Sequence, residues 1–298
     1  MPRFSSSPAG TVVSVAERIG PGKMRQRAIS AAVLVPVLLV VLAFGGVVLA
    51  AAIALITALA AVEVFRLLKG AGYAPFAALG TALALVVVLD AAFPEVLEGS
   101  GLLLVAIGVV LVAVASFERI DPRDGLQTWM ATVFGALYIS LLSFIVRLGM
   151  AAPEIPAGSP LSAIGAERGW ILLLIFAVWS YDTGAYLVGK NLGRTKFLTH
   201  ISPSKTIEGL VGGVIATTSV VAIMLWALGQ NPLHALALGP LTALAAQAGD
   251  LAESVIKRAA GAKDSGTLIP GHGGMLDRVD SFVFAAPVVT LYVLVLAR

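Results

Sequence analysis

Apolar residues run through this chain in long unbroken stretches separated by short polar clusters, without the alternation of a half-buried strand or the one-sided stripe of a soluble helix. The stretches fall at 28–44, 46–66, 73–92, 99–116, 125–148, 169–189, 207–228, 233–256 and 281–297. Their lengths are near the roughly 17 to 25 residues that an α-helix needs to cross the hydrocarbon of a bilayer. The pattern predicts an all-α polytopic membrane protein, a bundle of about nine transmembrane helices. Only the Gly45-Gly46 pair divides the first two stretches, so the pattern admits either two helices there or one bent helix.

Composition agrees with lipid as the solvent. Of 298 residues, 58% are hydrophobic and 12% charged, with a mean hydropathy of +0.96, more apolar surface than one soluble core of this size encloses. With nine spans and the amino terminus inside, every one of the 20 lysines and arginines except Arg147, Arg168 and Arg298 falls in a cytoplasmic segment. That is the asymmetry that membrane insertion imposes. It predicts insertion in the cytoplasmic membrane, with the amino terminus inside and the carboxyl terminus outside. The net charge of +3 then reflects a basic rim facing anionic headgroups and gives no reason to expect a nucleic-acid partner. There is no cysteine, hence no disulfide framework and no thiolate metal site. Residues 1–22, rich in Ser, Gly and Pro, are read as a flexible cytoplasmic tail ahead of a membrane domain over 23–298. The site is expected mainly within 170–281.

Charge, scarce elsewhere, is concentrated in two inside segments: "GKNLGRTKFLTHISPSKTIEG" at 189–209 and the stretch 250–280. Asp250 sits at the inner end of the eighth helix, and Glu253, Ser254 and Lys257 continue the same helical surface at spacings of three and four. Asp277 and Asp280 share a face at the start of the ninth helix, where the helix dipole favours anions. Three converging carboxylates, Asp250, Asp277 and Asp280, are ligands suited to Mg2+, a hard cation that takes oxygen ligands and keeps room for substrate phosphates. Lys257, Arg258, Lys263 and Arg278 interleave with these acids. Such a mixture suits a polyanion bound between them, through paired arginine hydrogen bonds and lysine point charges, although the inside location alone also favours basic residues. "PGHGG", 270–274, is a tight turn or a place where backbone amides meet phosphate, with His272 in a binding role. In "SPSKTIEG", Ser202, Ser204, Lys205 and Thr206 precede a helix whose amino terminus offers free amides to an anion; a cap on that helix is the competing reading. Asp182, inside the sixth stretch, is an ionisable group in the membrane and so a candidate for substrate contact.

"SVIKRAAGAKDSGTLIPGHGGMLDRVD", 254–280, resembles the signature of the phosphatidate cytidylyltransferases, the CDP-diacylglycerol synthases: Ser, two residues, Lys-Arg, four residues, Lys-Asp, then His-Gly-Gly, two residues, Asp-Arg, one residue, Asp. "GDLAES" and "SPSKTIEG" are similar to that family as well. The likeness in hydrophobic layout spans nearly the whole chain apart from the tail. The resemblance implies transfer of the cytidylyl group of CTP to phosphatidic acid, giving CDP-diacylglycerol and pyrophosphate for phospholipid synthesis. It implies Mg2+, with a second cation such as K+, and a homodimer in the membrane lipid. Carried onto matching positions, it makes Asp250 and Asp277 metal ligands with Asp280 nearby. Lys205, Ser204 and Thr206 would hold nucleotide phosphates, and Lys257, Arg258, Lys263, Asp264 and Arg278 would shape the rest of the site. The rival expectations are a CTP-dependent lipid or prenol kinase, which would move only the terminal phosphate, and a cation-coupled transporter.

Overall fold

The computed structural model describes residues 21–97, 100–271 and 273–296. Among them there is no strand, only isolated bridges at Lys196–Thr206 and Ile269–Gly273. The helices are α1 (Pro21–Phe44), α2 (Gly46–Gly70), α3 (Ala77–Ala92), the single turn α4 (Pro94–Leu97), α5 (Gly101–Ser116), α6 (Pro122–Ser140), α7 (Ser143–Ala151), α8 (Ala166–Leu192), α9 (Ile207–Ala227), α10 (Ala235–Ala259) and α11 (Leu276–Leu296). Each of the nine apolar stretches of the sequence has its helix, with α6 and α7 together answering to 125–148. The protein is an all-α membrane protein.

Five segments are long and apolar enough to cross a bilayer: α2, α6 with α7, α8, α9 and α11. The apolar part of α1, and α3 and α5, are shorter. α10 spans 25 residues but carries Gln247, Asp250, Glu253 and Lys257, so its polarity sets it apart from the others. α10 thus holds several of the candidate site residues, Asp250, Lys257 and Arg258.

The first two apolar stretches are two separate helices, α1 and α2. Gly45 and Gly46 have φ of 61° and 46°, a left-handed conformation in which a Cβ would be strained. A Cβ at Gly45 would also lie 2.7 Å from a Glu167 carboxylate oxygen. The break leaves open helix ends, and α8 supplies the partners they need. Glu167 Oε1 accepts from the Gly46 amide at 2.7 Å, while Arg168 donates to the Leu42 and Ala43 carbonyls, both at 2.8 Å.

Long-range contacts sort the helix ends into two groups. One end joins Ser30 to the Pro270 carbonyl, Arg66 to the Ser265 carbonyl, Arg119 to the Ala74 carbonyl and Arg258 to the Ile201 carbonyl. The other joins Arg168 to α1, Asp90 to Arg147, Leu161 to the Ala227 carbonyl and His234 to Tyr292. This is the alternation the nine-span reading requires, because 66, 119, 201 and 258–270 meet at one end, whereas 42–46, 147 and 168 meet at the opposite one. Close approach is made possible by small residues, as in lipid, where packing and not solvent exclusion joins helices. The α8–α9 seam sets Gly184 against Ala216 and Gly213 against Tyr181, where an added Cβ would come within 2.6 Å of its neighbour in both cases.

Candidate active site

At the basic end of the bundle α10 and α11 cross at Gly249, where an added Cβ would lie 2.3 Å from the Asp280 carbonyl oxygen. The missing side chain lets the two backbones touch. It thereby sets the next residue, Asp250, beside the first turns of α11. One oxygen each from Asp250, Glu253 and Asp280 lies within 4.8 Å of the others. Glu253 is buried, the other two partly so. Glu253 Oε1 is buried with no hydrogen-bond donor, and three carboxylates this close repel unless a proton or cation lies among them. A divalent cation suits that donor set, all hard oxygens with unused lone pairs.

Cations flank the cluster on both sides. Lys205, from the loop before α9, forms an ion pair with Asp250. Lys257 is buried and bridges Glu253 at 2.6 Å and Asp277 at 2.8 Å. Asp182 is exposed and lies within electrostatic reach of Lys205, Asp250 and Arg278. The candidates from α8, the α9 loop, α10 and α11 therefore converge on one end of the molecule.

Asp277 stands one step removed from the cluster. Its Oδ1 is engaged by Lys257. Its Oδ2 accepts from the Ser265 amide at 3.0 Å, the Ser265 hydroxyl at 2.9 Å and the Gly274 amide at 2.8 Å. The sequence grouped Asp250 and Asp280 with Asp277; the geometry brings Glu253 into the group and spends the lone pairs of Asp277 on its own loop.

The remaining candidates are arranged as follows. Thr206 is the N-cap of α9, its hydroxyl accepting from the Gly209 amide at 3.1 Å. Glu208 turns back to the Arg194 and Thr195 amides at 3.0 and 3.1 Å, closing the 193–207 hairpin that presents Lys205. Ser204 is exposed and Ser202 partly so. Arg258 is exposed and donates to the Ile201 and Ala262 carbonyls, tying the two basic loops together. Lys263, Asp264 and Arg278 are exposed. His272 lies outside the described residues.

A family model described as the cytidylyltransferase family matches residues 25–296. This chain belongs to that cytidylyltransferase family. A phosphatidate cytidylyltransferase of Synechocystis sp. is 36% identical over 289 residues, covering 91% of this chain and 97% of the relative. Phosphatidate cytidylyltransferase 4, chloroplastic, of Arabidopsis thaliana is 40% identical over 197 residues, 61% of this chain and 50% of that protein. A phosphatidate cytidylyltransferase of Staphylococcus aureus is 46% identical over 124 residues, 41% of this chain and 48% of the relative.

One further acidic residue, outside the set predicted from sequence, shapes this end of the molecule. Glu63 of α2 is buried and accepts from the Ser265 hydroxyl at 2.9 Å, the Met275 amide at 3.1 Å and the Leu276 amide at 2.8 Å. It therefore caps α11 from a distant helix and fixes the loop that carries Asp277. The Ser265 hydroxyl has one proton and two carboxylate neighbours, Glu63 and Asp277, each at 2.9 Å, so it donates to one at a time. The signal was present: an acid within an apolar stretch is functional by default. Applied to Asp182, that rule applies equally to Glu63, but the first half of the chain carries no other polar motif to draw notice to it.

Proposed function

We propose that the protein transfers the cytidylyl group of CTP to phosphatidate, giving CDP-diacylglycerol and pyrophosphate. The enzyme class follows from family membership, and the substrates are those of the relatives named phosphatidate cytidylyltransferase. The observation that carries the reading at residue level is the Asp250, Glu253 and Asp280 cluster with Lys205 and Lys257 against it. A soluble nucleotide and a membrane-held phosphate are both anions, and acids and bases interleaved at a helix end suit their encounter.

A phosphate oxygen of phosphatidate attacks the α-phosphorus of CTP, and the bond to the β-phosphate oxygen breaks as pyrophosphate leaves. The nucleophile is already ionised near neutral pH, so no general base is required of His272 or any other side chain. Lys205 would meet the charge that grows on pyrophosphate, with Ser202, Ser204 and Thr206 beside it in sequence. Lys257, Arg258, Lys263 and Arg278 neutralise the remaining phosphate charge, and Asp182 and Asp264 orient these basic groups. Asp250 and Asp280, with Glu253 and Asp277 on either side of Lys257, would hold Mg2+, which when bound screens the two anions and stabilises charge on the leaving group. An anionic substrate competes for the Lys257 ammonium and so releases carboxylate oxygen on either side of it. A second cation such as K+, a homodimer, a cytoplasmic-membrane location and a cytoplasm-facing site belong to the same reading. The first two rest on family resemblance and the last two on the basic residues gathered at the site end.

The test is the fate of label. Purified protein given phosphatidate and CTP labelled at the α-phosphate is expected to pass label to lipid. Lipid labelled only from γ-labelled CTP would mean a kinase, and the reading would fall. A cation-coupled transporter has less support, since the acidic cluster occupies one end of the bundle and not a path through its depth.

A further inference from the structure

A lipid substrate must reach the carboxylates from the bilayer, and the structure offers a place for it to wait. α2 runs toward the site end and α3 runs away from it, and between them is an open groove of about 600 Å3. Arg66 and Lys69 stand at one end of it, while Val62, Ala78, Ala82 and Leu85 form its walls.

The order of these residues gives the groove a direction. Arg66 and Lys69 occupy the last turn of α2, which ends at Gly70, and Val62 lies one turn deeper. α3 begins at Ala77, and Leu85 is about 12 Å farther into the bundle at 1.5 Å per residue. Cations thus sit at the mouth and aliphatic surface lies below, the polarity of a phospholipid held in a leaflet. Basic residues at a helix end are general at membrane surfaces; here they stand at the end of an open groove walled by Val62, Ala78, Ala82 and Leu85. Arg66 also donates to the Ser265 carbonyl, and Ser265 binds Asp277 through its amide and hydroxyl. The cationic mouth therefore abuts the loop of the active site.

We propose that this groove docks phosphatidate, with its phosphate at Arg66 and Lys69 and an acyl chain along Val62, Ala78, Ala82 and Leu85. The inference rests on the cytidylyl-transfer reading above. Two cations match a phosphomonoester, which carries a charge of about −1.5 to −2 near neutral pH. A phosphodiester lipid carries one negative charge on its phosphate and is matched by one cation.

Photolabelling of the full chain in lipid–detergent micelles, with a phosphatidate bearing a diazirine in one acyl chain, is expected to place adducts on α2 and α3 at the groove. Excess unlabelled phosphatidate should suppress them, and an equal amount of phosphatidylglycerol should not. Adducts confined to other helices, or equal suppression by both lipids, overturn the proposal. Ala78→Trp and Ala82→Trp fill the groove and are expected to raise KM for phosphatidate about tenfold while leaving KM for CTP unchanged, the mark of lost substrate binding. An unchanged phosphatidate KM in a folded tryptophan variant also overturns it. Should those variants not fold, the labelling pattern of the unmodified protein decides. Absence of any cytidylyl transfer to phosphatidate by the unmodified protein would instead sink the reading of function, while the labelling would still report who occupies the groove.

Discussion

Single side chains at this site differ in what they still have to give. Glu253 keeps a buried oxygen without a donor and Asp250 Oδ2 is met by Lys205 alone, whereas every oxygen of Asp277 has a partner. Asp250→Asn and Asp277→Asn are both expected to lower turnover by about 100-fold or more while the protein still inserts and purifies as a single species. Near-normal turnover of either variant at saturating Mg2+ would remove that residue from the site. Glu253→Gln separates ligand from scaffold: if Glu253 contributes an oxygen, the Mg2+ concentration for half-maximal rate rises about 10-fold or more, within the range seen for weakened metal sites. An unchanged Mg2+ dependence would place it outside the ion's reach. Lys257→Met leaves Glu253 and Asp277 buried without their shared cation. Breaking such a pair costs about 3–5 kcal/mol, so thermal unfolding in detergent should move down markedly, and an unaltered midpoint would refute the bridging role.

Helices hold these side chains by close contacts that tolerate little added volume. A methyl group at Gly249 would meet the Asp280 carbonyl, and backbone cannot swing aside as a flexible side chain does. Gly249→Ala is therefore expected to push α10 from α11, reducing activity and thermal stability together; wild-type behaviour in both assays would show that the crossing is not tight. Glu63 acts across an even longer distance in sequence, capping α11 from α2. A glutamine there offers an amide where a carboxylate oxygen now accepts from backbone N–H, so Glu63→Gln should destabilise by about 1–3 kcal/mol, the cost of an unsatisfied buried donor. The helical layout was legible from apolar runs because nothing but a helix satisfies its own backbone in lipid. The division at Gly45 was not legible, since a glycine pair is compatible with both a bend and a break. Glu167 and Arg168, more than a hundred residues away, supply the caps that make it a break.

For the molecule as a whole, the sorting of helix ends predicts a sidedness that the cysteine-free chain makes simple to measure. Thr267 and Ala157 are both exposed and belong to opposite ends. Cysteines placed singly at these positions should react with an impermeant maleimide from opposite faces of the membrane, 267 from the cytoplasmic one. Reaction of both from one face would break the nine-span alternation. By itself the sequence determined the all-α membrane class, the concentration of charge at one end and the family, because these depend on composition, on run length and on a signature within one contiguous segment. Only the tertiary structure decided which acids meet. Asp250 and Glu253 share a helix face by spacing alone, but their approach to Asp280 requires the crossing at Gly249, and the burial of Asp277 requires Glu63 and Ser265 to arrive from elsewhere in the chain. Carboxylates attract no partner that local sequence can name; their company is set by which backbones can touch.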